Sequence, residues 1–125
     1  MTIAAWTILA AAVLPILCAA IGKAGAAGYD NSTPRQWEIG LTGWRMRAIW
    51  AQRNHFEAFA PFAAAVLVAQ TAAAPQGRVD ALAVAFILLR VAYSAAYILD
   101  RPTLRSILWA LGFACIVGLF LAGLR

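Results

Sequence analysis

The chain is 125 residues long, 64% hydrophobic and 12% charged, with a formal net charge of +5. Soluble domains are about 45–50% apolar and about 25% charged, so this composition excludes a water-soluble fold and makes the bilayer the natural solvent. The positive balance does not point to nucleic acid: the basic residues flank apolar segments, as they do beside membrane helices. Cys18 and Cys115 both lie in apolar runs without CxxC or Cys/His spacing, and His55 is the one histidine. Neither a disulfide framework nor a metal site is indicated.

The first apolar segment runs from about residue 3 to 21. It lacks the basic start of a signal peptide and is too long for that peptide's apolar core, so it reads as a retained helix, with Pro15 as a candidate kink. A polar loop follows from Lys23 to Thr42, in which Asn31, Ser32 and Pro34 are turn formers. The second segment covers about 43–73 and is purely apolar only from Phe56 onward. "APQG" at residues 74–77 reads as a tight turn before a third segment at about 79–99; "DRP" at 100–102 is another before a fourth at about 103–124. A span needs roughly 20 residues, and helices rather than barrel strands fit the Ala-rich periodicity. The expected fold is therefore all-α, a single integral membrane domain built as a four-helix bundle, with short turns making consecutive helices antiparallel neighbours.

Basic residues also predict orientation. Lys23, Arg35, Arg45, Arg47, Arg101 and Arg105 gather at the first and third connections, against Arg78 and Arg125 at the other end. Six against two puts those two connections in the cytoplasm and both termini outside. The five tryptophans read as interfacial or packing residues.

Arg53 and Arg90 fall inside helices, where a charge costs about 2.5–3.5 kcal/mol on insertion scales and is a functional hypothesis by default. Arg53, Asn54 and Glu57 stand at i, i+1 and i+4, within an arc of about 100°. Arg90, Tyr93 and Tyr97 form a stripe on the third helix, and Arg105 and Ser106 open the fourth. Ordinary roles exist for each. Arg53 can pair with Glu57, Arg90 can bond a neighbouring carbonyl, the tyrosines can pack, Arg45 and Arg47 can anchor at the interface, and His55 can join helices by a hydrogen bond. Taken together they suit a small zwitterion with several carboxylates, an amine and a thiol. Arginine grips carboxylates, glutamate holds ammonium, and a cation beside a thiol favours the thiolate. Glutathione has these groups.

The residues themselves are familiar. "RAIWAQRNHFEAFAPFAAAVLVA", with its Asn54-x-x-Glu57 pair, resembles the second-helix signature of the MAPEG family, membrane-associated proteins in eicosanoid and glutathione metabolism. "RVAYSAAYILDRPTLRS" resembles that family's third-to-fourth helix region. The likeness extends over nearly the whole chain in length and helix count. It implies a homotrimer with glutathione between subunits, near the cytoplasmic side. Arg53, Asn54, Glu57, Arg90, Tyr93 and Tyr97 would bind glutathione; Arg105 would stabilise the thiolate, with Ser106 beside the thiol. Met46-Arg47 and Trp50 stand where animal members often carry a Glu-Arg pair and a further arginine, and Tyr93 where some carry histidine. The short, Ala-rich chain looks more like bacterial members, which implies a bacterial inner membrane. The expected activity is glutathione transferase or related thiolate chemistry on a lipophilic small molecule arriving through membrane lipid. The alternative is a non-enzymatic accessory or scaffold subunit, whose polar residues join helices. A transporter is a third class, but neither inverted repeats nor broken helices are visible.

Overall fold

A computed structural model describes residues 1–124; Arg125, counted above toward orientation, lies outside the described residues. It contains five helices rather than the expected four: α1 Ile3–Lys23, α2 Pro34–Ile39, α3 Gly43–Thr71, α4 Gln76–Ile98 and α5 Pro102–Ala122. The addition is α2, a short helix inside the polar loop. Pro34 opens it at a position where the missing N–H costs nothing and the fixed φ suits a helix. Trp37 of α2 meets the Tyr29 ring edge-on at 5.1 Å. Before it, Asp30 accepts from the Ser32 hydroxyl at 2.7 Å and amide at 2.9 Å, which holds its carboxyl below the ordinary carboxylate range.

The long elements stand where the sequence put them, with ends shifted by local chemistry. α3 stops at Thr71 because Ala73 turns left-handed at φ 52°, and Asp100, at φ 57°, closes α4 in the same way. Pro102 opens α5. Among the described residues, α1, α4 and α5 are long and apolar enough by themselves to cross a membrane; α3 misses the expectation that all four segments qualify on composition alone, and would cross only with its polar half packed into the bundle. Its 29 residues reach about 44 Å at the usual helical rise, but its first half carries Arg45, Arg47, Arg53 and Glu57.

The bundle packs on small side chains. Ala4, Ala11, Ala65, Ala69 and Ala83 are all buried in the core with Val66, Val79 and Leu119. Phe62 of α3 stacks on Phe86 of α4, with ring centroids 3.9 Å apart and planes 10° apart. Small residues let backbones approach, which is how helices associate when the surrounding solvent is itself apolar. The outer faces are correspondingly greasy: Ile16, Phe56 and Leu88 are each more than half exposed. At Gly22 of α1, an added Cβ would sit 3.1 Å from Ile49 Cδ1 and 3.3 Å from the Arg45 carbonyl oxygen of α3. Gly22→Val is therefore expected to destabilise the fold by about 1–3 kcal/mol, the usual cost of overpacking, read as a lowered Tm in detergent.

Polar side chains tie both ends of the bundle. At the start of α1, Asp80 of α4 accepts from the Ala4 amide at 2.7 Å and from Gln76 at 2.8 Å. Gln70 of α3 donates to the Thr2 hydroxyl, itself the N-cap of α1. At the opposite end, Arg45 Nη1 donates to the Gly22 and Ala24 carbonyls at 3.0 and 2.6 Å, and Arg47 Nε to the Ile98 carbonyl at 3.0 Å. These arginines satisfy the last carbonyls of α1 and α4, which helix ends leave without partners.

Candidate functional site

The first half of α3, the last half of α4 and the first turn of α5 meet at one end of the bundle. Arg90 projects from α4 into that meeting place and is 2% exposed. Its Nη2 donates to Asn54 Oδ1 at 2.8 Å. Nε donates to His55 Nδ1 at 3.3 Å, and Nη2 lies 3.1 Å from the same nitrogen. Asn54 passes the contact on, its Nδ2 donating to Glu57 Oε2 at 3.1 Å. The guanidinium also lies over the Tyr93 ring, 4.1 Å from its centroid. A buried charge needs such partners to be tolerable.

The aromatic stripe carries the site toward α5. Tyr93 meets Tyr97 edge-on at 5.6 Å, and Arg105 lies over the Tyr97 ring at 4.6 Å. Two rings thus stand between two cations, from Arg90 through Tyr93 and Tyr97 to Arg105. Among the described residues, Arg105 has no hydrogen-bond acceptor for its side chain and no ion-pair partner within 4 Å. Ser106 is exposed beside it.

Two adjoining clefts open on these groups. One, of about 160 Å³, has Asn54, Glu57 and Arg90 at its polar end and Pro61, Phe86 and Phe113 along its apolar part. The other, of about 270 Å³, is lined by Asn54, Tyr93, Tyr97, Arg105, Ser106 and Trp109. Asn54 and Trp109 belong to both. Each alone is smaller than the roughly 300–1,000 Å³ of a typical small-molecule site.

Seven of the eight residues singled out from the sequence are brought together here. The exception is Arg53, which turns away and meets Glu38 of α2 at 3.2 Å, a carboxylate also approached by Arg35 at 3.8 Å. The Arg53–Glu57 pair that helical spacing allowed does not form among the described contacts, and Glu57 is left to Asn54.

Two further residues brace the site: Ser94, which the sequence reading passed over, and His55, which joins helices by hydrogen bonds as expected. His55 is buried and holds Arg90 from the α3 side, and Ser94 holds His55, with Oγ 2.6 Å from Nε2. Ser94 lies one turn after Arg90 on the same stripe, a signal open to inspection; nothing in the sequence says that His55 faces inward. Cys18 of α1 completes the set, its thiol 3.6 Å from the Ser94 hydroxyl. Among the described residues, no group of three His, Cys, Asp or Glu side chains is placed to hold a metal ion.

A buried guanidinium, a second without a carboxylate partner, two phenols and an exposed carboxylate can bind a small molecule bearing both signs of charge. An apolar slot beside them suits a second, greasy reactant. A family model, described as the MAPEG family, matches residues 3–125. No curated protein and no solved structure matches the chain.

Proposed function

The chain belongs to the MAPEG family, and from that premise we propose that this integral membrane protein binds glutathione and directs its thiolate onto a lipophilic electrophile. The observation that carries the reading is the pair of adjoining clefts, polar at Arg90, Asn54 and Glu57, cationic at Arg105, and apolar toward Phe86 and Phe113. In this scheme Arg90 and Asn54 take a carboxylate of glutathione and Glu57 its ammonium group. Tyr93 and Tyr97 wall the tripeptide, and Arg105 holds the sulfur as thiolate with Ser106 beside it. A fixed positive charge stabilises the thiolate without reorganising at the moment of reaction. The sulfur lone pair forms the new S–C bond, and the electrophile's leaving group departs with the displaced electron pair. Arg53, paired with Glu38, would reach the tripeptide only by releasing that carboxylate.

The same proposal includes assembly and placement. A homotrimer would cover the open side of the clefts and bring glutathione between protomers. A bacterial inner membrane, with the site toward the cytoplasm and both termini outside, accords with the distribution of basic residues.

A second reading has its own support. The Arg90–Asn54 and Arg90–His55 bonds join α4 to α3, and among the described residues no sealed polar side-chain atom lacks a partner. A scaffold or accessory subunit would need no more. Titrating glutathione into the detergent-purified chain separates the two. A ligand specific for the folded state at about 100 times its Kd stabilises by about 2.7 kcal/mol, so Tm should rise and thiolate absorbance should appear. No shift and no thiolate at millimolar glutathione would leave only the scaffold.

A further inference from the structure

Arg90 does not offer its whole guanidinium to the cleft. Nε and Nη2 are both committed, to His55 Nδ1 and to Asn54 Oδ1. Nη1 has no hydrogen-bond partner among the described residues. Yet no polar side-chain atom among them is both sealed off and unpartnered, so Nη1 reaches open space, and the space Arg90 lines is the smaller cleft. A guanidinium grips a carboxylate in bidentate fashion through two neighbouring nitrogens. Here each such fork would use a nitrogen that the protein already holds.

The hold on Nε is itself fixed. His55 Nδ1 faces N–H donors and must accept, so the ring proton sits on Nε2, which donates to Ser94 Oγ at 2.6 Å. The Ser94 hydroxyl in turn donates to the Arg90 carbonyl at 3.0 Å. It also accepts from the Cys18 thiol at 3.6 Å. The Tyr93 ring stands edge-on to the imidazole at 6.1 Å. The imidazole therefore has one orientation in which every donor meets an acceptor, and that orientation sets the guanidinium plane.

We propose that His55, braced by Ser94, is a positioning residue that turns Arg90 so that Nη1 alone meets an anionic group in the cleft, end-on rather than as a fork. That the anion is a carboxylate of glutathione rests on the function proposed above; the positioning does not.

The test uses the full chain in detergent micelles, with arginine labelled by 15N and the Arg90 Nε–H signal assigned by its absence in Arg90→Lys. A slowly exchanging Nε–H is expected in the wild type. His55→Asn should keep it, since its side-chain oxygen takes the place of Nδ1, and His55→Leu should lose it. Ser94→Ala, a milder change on a half-buried residue, should speed its exchange. In parallel, glutathione Kd should rise about tenfold in His55→Leu, the worth of one hydrogen bond to a charged group, and much less in His55→Asn. Introducing His55→Leu into Arg90→Lys should add little further loss. An unchanged Nε–H signal in His55→Leu overturns the proposal, and so does an unchanged Kd in a wild type that binds glutathione. If the wild type binds no glutathione while the Nε–H pattern holds, the proposed function fails and the positioning stands.

Discussion

Arg105→Ala is expected to lower turnover about 10²–10³-fold, the loss seen when one preorganised stabiliser of developing charge is removed, while glutathione Kd rises far less, by the binding linked to thiolate formation. Arg105 opens α5 one turn beyond the "DRP" connection, its amide bonded to the Arg101 carbonyl at 2.9 Å. Its guanidinium rests on the Tyr97 ring and has no carboxylate within 4 Å among the described residues. Such a charge is not spent on the fold, so its removal should leave Tm nearly unchanged. What it contributes is a positive potential at the place where the sulfur would sit. Without it the bound thiol should keep its proton, and the thiolate absorbance of the complex should vanish at neutral pH. Arg105→Lys should recover part of both, because the charge returns without the flat group that stacks on Tyr97. The measurement is turnover with a nitroaryl halide as electrophile, together with difference absorbance of bound glutathione. Wild-type thiolate and turnover in Arg105→Ala would assign the sulfur to another residue.

Phe62→Ala is expected to cost about 3 kcal/mol, the lower end of the range for a buried Phe→Ala change. Phe62 is fully buried and stacks on Phe86, itself 2% exposed. In water the loss would combine a transfer term with a cavity term. In detergent the unfolded segment still sits among hydrocarbon, so the transfer term shrinks and lost packing dominates. The cavity would open beside the apolar slot, one wall of which is Phe86. A lower unfolding midpoint should therefore come with a larger KM for the electrophile, and glutathione Kd should be less affected. Phe62→Leu should recover most of the stability. An unchanged midpoint would mean that the α3–α4 contact does not rest on this stack.

How much could be read without coordinates differs from residue to residue. The long apolar runs are legible because a chain in lipid must satisfy its own backbone, and helices are the way for runs of this length. Asn54, Glu57, Arg90, Tyr93, Tyr97, Arg105 and Ser106 are legible because a polar group at membrane depth stands out against its neighbours. The short α2 was not foreseen, since six residues with a proline at the start resemble a turn until Trp37 has Tyr29 to pack against. The partner of Arg53 is hidden for a related reason. Spacing offered Glu57 one turn away, and only the folded loop supplies Glu38.

The sequence by itself determined the solvent, the helical class, the long segments within a few residues and the family, because these follow from composition and from spacing along one helix. The tertiary structure alone decided which polar groups touch. It turned Arg53 outward to Glu38, turned His55 inward to Ser94, which also meets Cys18, and brought Arg90 to the cleft wall with Nε and Nη2 already bonded. Those outcomes depend on the rotation of one helix against another. Close packing of small residues such as Ala65, Ala69 and Ala83 sets that rotation, and the order of residues along the chain does not encode it locally.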